Sequence, residues 1–347
     1  MSTSREPNKQ PSRHRLAPAL GLFVLAPLVG EFLLGNLPIT WLWTLLTLAP
    51  LYGGGALLIR ETARKFGLGW PSMLLLGLAY AIVEEAFVTQ SLFNDNYLGL
   101  RLLDYGYLPT LGIGAWWTVF VLALHTIWST AVPIALVESM ATYSRRSPWL
   151  GRTSVTLTAI VFLMGCVATA QFQPATEDRA SIPQLVSSGI IVATLVIIAV
   201  MTGRRRPEQS ASRRLSSNHA QPLSPALPGG VALAGGSAFM GLAMVHSSIP
   251  AAANVSAMLI VMGVISVAVL RWSRRHDWSE QHRVAVAGGF LLTYVWYSFV
   301  QEPSVGDTTR TVDLIGNVAL GAAAIALLAV AFVRAGRGDQ TPASASN

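Results

Sequence analysis

Cysteine occurs once in the 347 residues, as Cys166 within an apolar run. A single thiol excludes an intramolecular disulfide and any zinc site built on paired cysteines, and it leaves redox chemistry without equipment. Charge is scarce as well. Charged residues are 12% of the chain, about half the ~25% of a soluble domain. Hydrophobic residues reach 52% and the mean hydropathy is +0.50. The few charges gather in short clusters between apolar runs long enough to cross a bilayer, which makes the chain a polytopic membrane protein. A compact basic domain is also missing. The formal charge of +7 and pI near 10 come from residues lying between the apolar runs, so nucleic acid is excluded as a partner. Lysine is nearly absent, at 2 against 22 arginines, a bias that goes with a GC-rich bacterial genome and hence with a plasma membrane.

At ~20 residues per crossing, the hydrophobic pattern predicts an all-α transmembrane helix bundle of ten spans. They fall at about 16–36, 38–60, 68–91, 112–138, 153–172, 182–202, 230–247, 251–271, 283–301 and 313–334. The basic N-terminal stretch (Arg5, Lys9, Arg13, Arg15) precedes no small-residue cleavage site and reads as the flank of an uncleaved first span. With both ends inside, 21 of the 24 basic residues lie on inner segments, and the outer loops hold only Arg101, Arg179 and Arg310. That asymmetry is what the positive-inside rule requires. The expected organisation is a cytoplasmic tail over 1–15, a six-helix membrane region over 16–202, a basic cytoplasmic linker over 203–229, a four-helix membrane region over 230–334 and a second cytoplasmic tail over 335–347. The linker is rich in Ser, Pro and Arg and poor in apolar residues, so it is expected to be disordered. Trp41, Trp43, Trp116 and Trp117 at outer ends, and Trp70, Trp149, Trp272 and Trp278 at inner ends, read as interfacial anchors.

Ionisable groups inside spans are the informative residues, because each costs about 2.5–3.5 kcal/mol at a helix centre and persists only with a partner or a use. They are Glu31, Glu84, Glu85 and His125, with Glu138 and His246 at helix ends. Glu138 precedes Arg145 and Arg146 and reads as a solvated or ion-paired interfacial carboxylate; His246 reads as solvated. Glu84 and Glu85 cannot both be cheaply ionised. Neighbouring helix positions lie about 100° apart, which predicts one carboxylate facing a cavity and the other turned to a supporting donor. Tyr80–Glu84 and Glu85–Thr89 each form an i,i+4 pair, and Thr89, Gln90 and Ser91 continue a polar stripe. His125 lies mid-span with Ser129 one turn on, and Pro133 frees the Ser129 carbonyl beside it. Because the third and fourth spans are consecutive and antiparallel, the carboxylates and the imidazole can meet, and Glu31 can join from the first span. Such a set suits general-base activation of water, with the imidazole stabilising an oxyanion. The same groups would equally serve as polar glue between helices.

The segment AIVEEAFVTQ, followed about 40 residues later by VFVLALH, resembles the CAAX-protease and bacteriocin-processing membrane-peptidase superfamily, whose core helices carry EExxxR, FxxxH and a third His motif. The resemblance spans residues 16–138. It implies an intramembrane glutamate-dependent peptidase with Glu84, Glu85 and His125 as catalytic residues, supported by Glu31, Thr89 and Ser129. Departures are plain: Thr89 stands at the arginine position, Phe120 is five residues before His125, and no HxxxN occurs in a span. The implied partners are the lipid bilayer and a membrane-embedded peptide or small-molecule substrate; no metal or cofactor is assigned. Two other readings stay open. A secondary transporter of the ten-helix exporter type would use a bent second span at Pro50 and Gly53–Gly55, whose glycines otherwise serve close packing. A non-catalytic membrane scaffold would use the polar groups only to satisfy one another.

Overall fold

The computed structural model describes residues 13–141, 145–171, 179–204 and 222–339. Among these, nine helices are long and apolar enough to cross a membrane: Leu16–Leu33, Ile39–Lys65, Trp70–Val88, Ala115–Met140, Arg152–Gln171, Ile182–Gly203, Ala226–Met244, Ala251–Trp272 and Arg310–Arg337. The remaining expected span is present as the helix Glu280–Tyr297. Its first turn carries Glu280, His282 and Arg283, which lowers its hydropathy, and most of its length is packed against neighbouring helices. Below, helices are counted in chain order with this one as the ninth. The bundle is all-α apart from one small departure, a two-residue antiparallel pair (Tyr107–Leu108 with Ile113–Gly114) in the loop before the fourth helix.

Helix ends fall near the expected positions, with extensions where turns continue past the apolar run. The first helix starts at Arg13, the sixth runs to Arg204, the seventh opens at Ala226 and the last reaches Asp339. The central part of the expected linker, 205–221, lies outside the described residues, as do 1–12 and 340–347 of the two tails. Leu223 at the linker's end is fastened: its amide donates to Asp277 (2.7 Å) and its carbonyl accepts from His282 Nε2 (2.8 Å).

The fourth helix is the central post. Trp128, fully buried, stacks on Tyr294 of the ninth helix at 4.9 Å and donates its indole N–H to the Phe290 carbonyl at 2.7 Å. In the second, third and fourth spans, 56%, 61% and 67% of the apolar window is buried, against 6%, 11% and 17% in the fifth, sixth and eighth. The first group forms the interior. The second presents Leu, Ile, Val and Met outward, as helices in contact with lipid do.

The glycines at 53–55 serve close packing. A Cβ on Gly53 would lie 2.0 Å from the Phe23 carbonyl oxygen, and one on Gly55 would lie 2.3 Å from the Tyr80 ring. Pro50 sits in the same segment, within a π-helical turn over Ala49–Gly53, so the second span is bent and tightly packed at once.

Two expectations about end residues need correction. Trp149 is no interfacial anchor: it is 3% exposed and lies under the Arg60 guanidinium at 3.5 Å from ring centroid to Cζ. His246 is not simply solvated, since it stacks on Trp116 at 4.4 Å and its Nδ1 lies 2.8 Å from the Ala243 carbonyl.

Candidate functional site

The first four spans each contain a π-helical turn, and those turns meet. π-helical turns run over Leu28–Leu33, Ala49–Gly53, Glu84–Val88 and His125–Ala131. Their i→i+5 bonds are explicit: Asn36 to the Glu31 carbonyl (3.0 Å), Gly54 to that of Ala49, Thr89 to that of Glu84 (2.9 Å), and Val132 to that of Ile127. Prolines help produce them, because Pro50 and Pro133 lack an N–H and cannot continue an unbroken α ladder. Each turn delivers one or two polar side chains inward: Glu31, Tyr52, Glu84 with Glu85, and His125 with Ser129. π turns concentrate at functional sites, and here four of them line one cluster.

The imidazole of His125 is the hub. Glu84 Oε2 stands 3.2 Å from Nδ1, and Glu85 Oε1 stands 2.9 Å from Nε2. The division expected from the 100° spacing is therefore overturned, since both carboxylates reach the same ring. The π turn beginning at Glu84 advances fewer degrees per residue than an α-helix, which keeps adjacent side chains on one side. Glu85 still has the donors foreseen for it. Thr89 Oγ1 donates to Oε2 at 3.1 Å, and Ser91 Oγ makes a second, short bond to the same oxygen. Ser91 in turn accepts from the Trp117 indole at 2.9 Å. Ser129 Oγ lies 3.3 Å from His125 Nδ1.

Glu84 is the contrasting carboxylate. It is 2% exposed, yet its Oε2 meets no donor in hydrogen-bond geometry. Tyr80, one turn earlier, stands edge-on to His125 at 6.5 Å between ring centroids, with its buried hydroxyl beside the Glu84 carboxyl. Glu31 joins one layer away. It accepts from the Tyr52 hydroxyl through a short bond and from Asn36 Nδ2 at 2.6 Å, and the Tyr52 ring lies 5.6 Å from the imidazole. Gly30 makes this approach possible, because a Cβ there would fall 2.9 Å from Ser129 Oγ and 3.0 Å from Tyr52. Among the described residues no Lys or Arg pairs with Glu31, Glu84 or Glu85.

The structure thus brings together all six residues singled out in the sequence: Glu84, Glu85 and His125 at the centre, Thr89 and Ser129 in hydrogen-bond range of them, and Glu31 through Tyr52. Sequence reasoning passed over Tyr52 and Asn36. The signal for Tyr52 was its place beside Gly53–Gly55 inside a span, where only close packing or function retains a phenol. One ligand atom from each of Glu84, Glu85 and His125 lies within 4.8 Å of the others, a spacing that suits a shared proton, a water or a cation.

Glu138 belongs to a second, separate buried cluster at the C-terminal end of the fourth helix. It is 3% exposed and ion-paired, though not to Arg145 and Arg146 as the sequence suggested. Arg60 Nε reaches its Oε1 at 2.9 Å and Arg64 reaches both oxygens, at 2.7 and 2.5 Å. Arg145 instead donates to the Glu138 carbonyl at 3.2 Å.

A model described as an uncharacterized membrane protein family matches residues 20–343, nearly the whole chain, and the protein belongs to that family. No curated protein and no solved structure matches the chain.

Proposed function

We propose that this member of the family is an intramembrane hydrolase of the glutamate-dependent peptidase kind. It is read as a ten-span protein of the plasma membrane with both ends inside, six spans before the basic linker and four after it. The observation that supports it is the convergence of Glu84, Glu85 and His125 in one buried cluster. Glu84, buried and 3.2 Å from the imidazole, would take a proton from water. His125 stands within reach to position that water and to donate to the oxyanion, while Thr89, Ser91 and Ser129 fix the side chains around it. A substrate reaching this depth is itself membrane-embedded, such as a transmembrane or lipidated peptide.

Cleavage of a library of membrane-inserted peptides by the full-length protein in liposomes, followed by mass spectrometry, tests the reading. Glu84→Gln and His125→Gln should each lower the rate by about 10²–10⁴. Equal cleavage by wild type and both variants would overturn it. So would absence of cleavage together with a proton-driven solute flux that collapses in Glu84→Gln, which is the behaviour of a transporter.

A further inference from the structure

Hydrolysis of an amide builds negative charge on the carbonyl oxygen, and enzymes meet that charge with preorganised hydrogen-bond donors. In the reading above His125 is one such donor. The residues around it show where a second stands. Tyr80 lies one α turn before the π turn that opens at Glu84. It is buried, with its ring edge-on to His125 and its hydroxyl beside the Glu84 carboxyl. That hydroxyl makes no bond to a backbone carbonyl, so it ties no helix to another. Space for the ring is kept by Gly55, where a Cβ would fall 2.3 Å from it, and Phe162 of the fifth span packs on it at 6.1 Å between centroids. Tyr52 is the contrasting phenol, since its hydroxyl is committed to Glu31 one layer away.

We infer that Tyr80 is a further catalytic residue of this site, a second donor to the oxyanion that is held on Glu84 until the base takes its proton. The inference rests on the hydrolase reading. Tyr80 and His125 flank the same carboxyl, so a carbonyl set against Glu84 meets both donors. With Glu84 ionised, the phenolic O–H donates to it. On attack, the proton of water passes to Glu84, the water oxygen bonds to the carbonyl carbon, and the carbonyl π pair moves onto oxygen. A protonated carboxyl is a weaker acceptor than the new oxyanion. The Tyr80 O–H therefore turns to the oxyanion, donating a hydrogen bond and keeping its proton. When the oxyanion reforms the carbonyl, the C–N bond breaks and the proton on Glu84 goes to the departing nitrogen, which leaves an acid and an amine. Tyr80 then returns to the Glu84 carboxylate. A bond made to the oxyanion alone raises kcat and leaves substrate binding as it was.

The test uses the full-length protein in liposomes with a membrane-inserted peptide that wild type cleaves. A second copy of that peptide carries a phosphonate in place of the scissile amide, so that its tetrahedral oxygens imitate the oxyanion. Tyr80→Phe removes one oxygen and adds no atom, which keeps the ring against Gly55 and Phe162. It should lower kcat by about 10²–10³ and leave KM within about twofold. Affinity for the phosphonate should fall by about the same factor as kcat/KM. Tyr107→Phe, which alters an exposed phenol in the loop before the fourth helix, should change none of these. Near-UV circular dichroism, reporting the Trp128–Tyr294 stack, shows that each variant is folded. Cleavage by folded Tyr80→Phe at the wild-type rate overturns the inference and leaves the hydrolase reading standing. A fall in kcat with unchanged phosphonate affinity also overturns it, because Tyr80 would then only position Glu84. A wild type that cleaves no peptide of the library overturns both.

Discussion

The protein buries two ionic clusters about the fourth helix, and they differ in whether their charges and hydrogen bonds close. At one end, Arg60, Glu61, Arg64 and Glu138 hold two acids against two bases. Arg60 is fully buried and bonded to Glu138, to Glu61 and to the Arg145 carbonyl (3.0 Å), with Trp149 across its face. Glu61 accepts in addition from the backbone amides of Trp149 (3.1 Å) and Leu150 (2.9 Å). At mid-helix, Glu84, Glu85, Glu31 and His125 hold three acids against one imidazole. The lesson is physical. A buried polar cluster whose charges balance serves the fold, and one whose charges do not balance calls for a further explanation.

The comparison breaks first at the closed cluster. Removing one partner of a buried ion pair strands the other charge, which costs about 3–5 kcal/mol. Glu138→Ala, which takes the carboxylate from Arg64 and leaves Arg60 with Glu61 as its remaining acid, should therefore lower unfolding stability in detergent by that amount, and Arg60→Ala should do likewise. A loss below about 1 kcal/mol, the range of exposed pairs, would mean that water reaches this cluster. Packing around the open cluster comes next. Gly55→Ala drives a methyl against the Tyr80 ring and should cost about 1–3 kcal/mol. Gly241→Ala, where a Cβ meets nothing within 4 Å, should instead stabilise the seventh helix by about 0.5–1 kcal/mol.

The sharpest contrast comes from neutralising the open cluster. Glu84→Gln removes one of three buried carboxyls gathered about a single imidazole, so unfolding stability should stay within about 1 kcal/mol of wild type or rise. The same change at Glu138 should destabilise. If both substitutions destabilise equally, the two clusters are alike and the open one is merely structural glue.

The sequence made the spans legible because bilayer thickness imposes a length and the absence of water imposes composition. The helix Glu280–Tyr297 departs furthest from that composition: surrounded by other helices, it carries Glu280, Arg283 and Thr293 and does not resemble a lipid-facing one. Glu84, Glu85 and His125 stood out for the same reason that they matter, as costly residues in apolar runs. Arg60 and Glu61 did not, because at the end of a span a basic residue reads as a topology signal, and only the fold shows that Arg60 is fully buried. The meeting of both glutamates on one imidazole was illegible, since a π turn alters the angular spacing on which helix-face arguments rest. Tyr52 was hidden for a related reason: its partner Glu31 is 21 residues away on another helix.

The smallest effect belongs to the clamp on the linker, and it extends the same comparison to the surface, where the bonds also close. The Arg275 guanidinium holds the Asp277 carboxyl well below the usual carboxylate range, and the Leu223 amide adds to this. A carboxyl whose pKa is depressed on folding contributes above its unfolded value, about 3.9 for Asp, and loses that contribution only as pH falls through the lower folded value. The Leu223 amide should thus stay protected from hydrogen exchange from neutral pH to below about pH 4, once rates are corrected for intrinsic pH dependence. Asp277→Asn should weaken protection at every pH in that window while leaving the exchange of the Glu280–Tyr297 helix unchanged. Loss of wild-type protection already between pH 6 and 5, where Asp277 is still ionised, would show that the Asp277 carboxylate is not what holds the Leu223 amide.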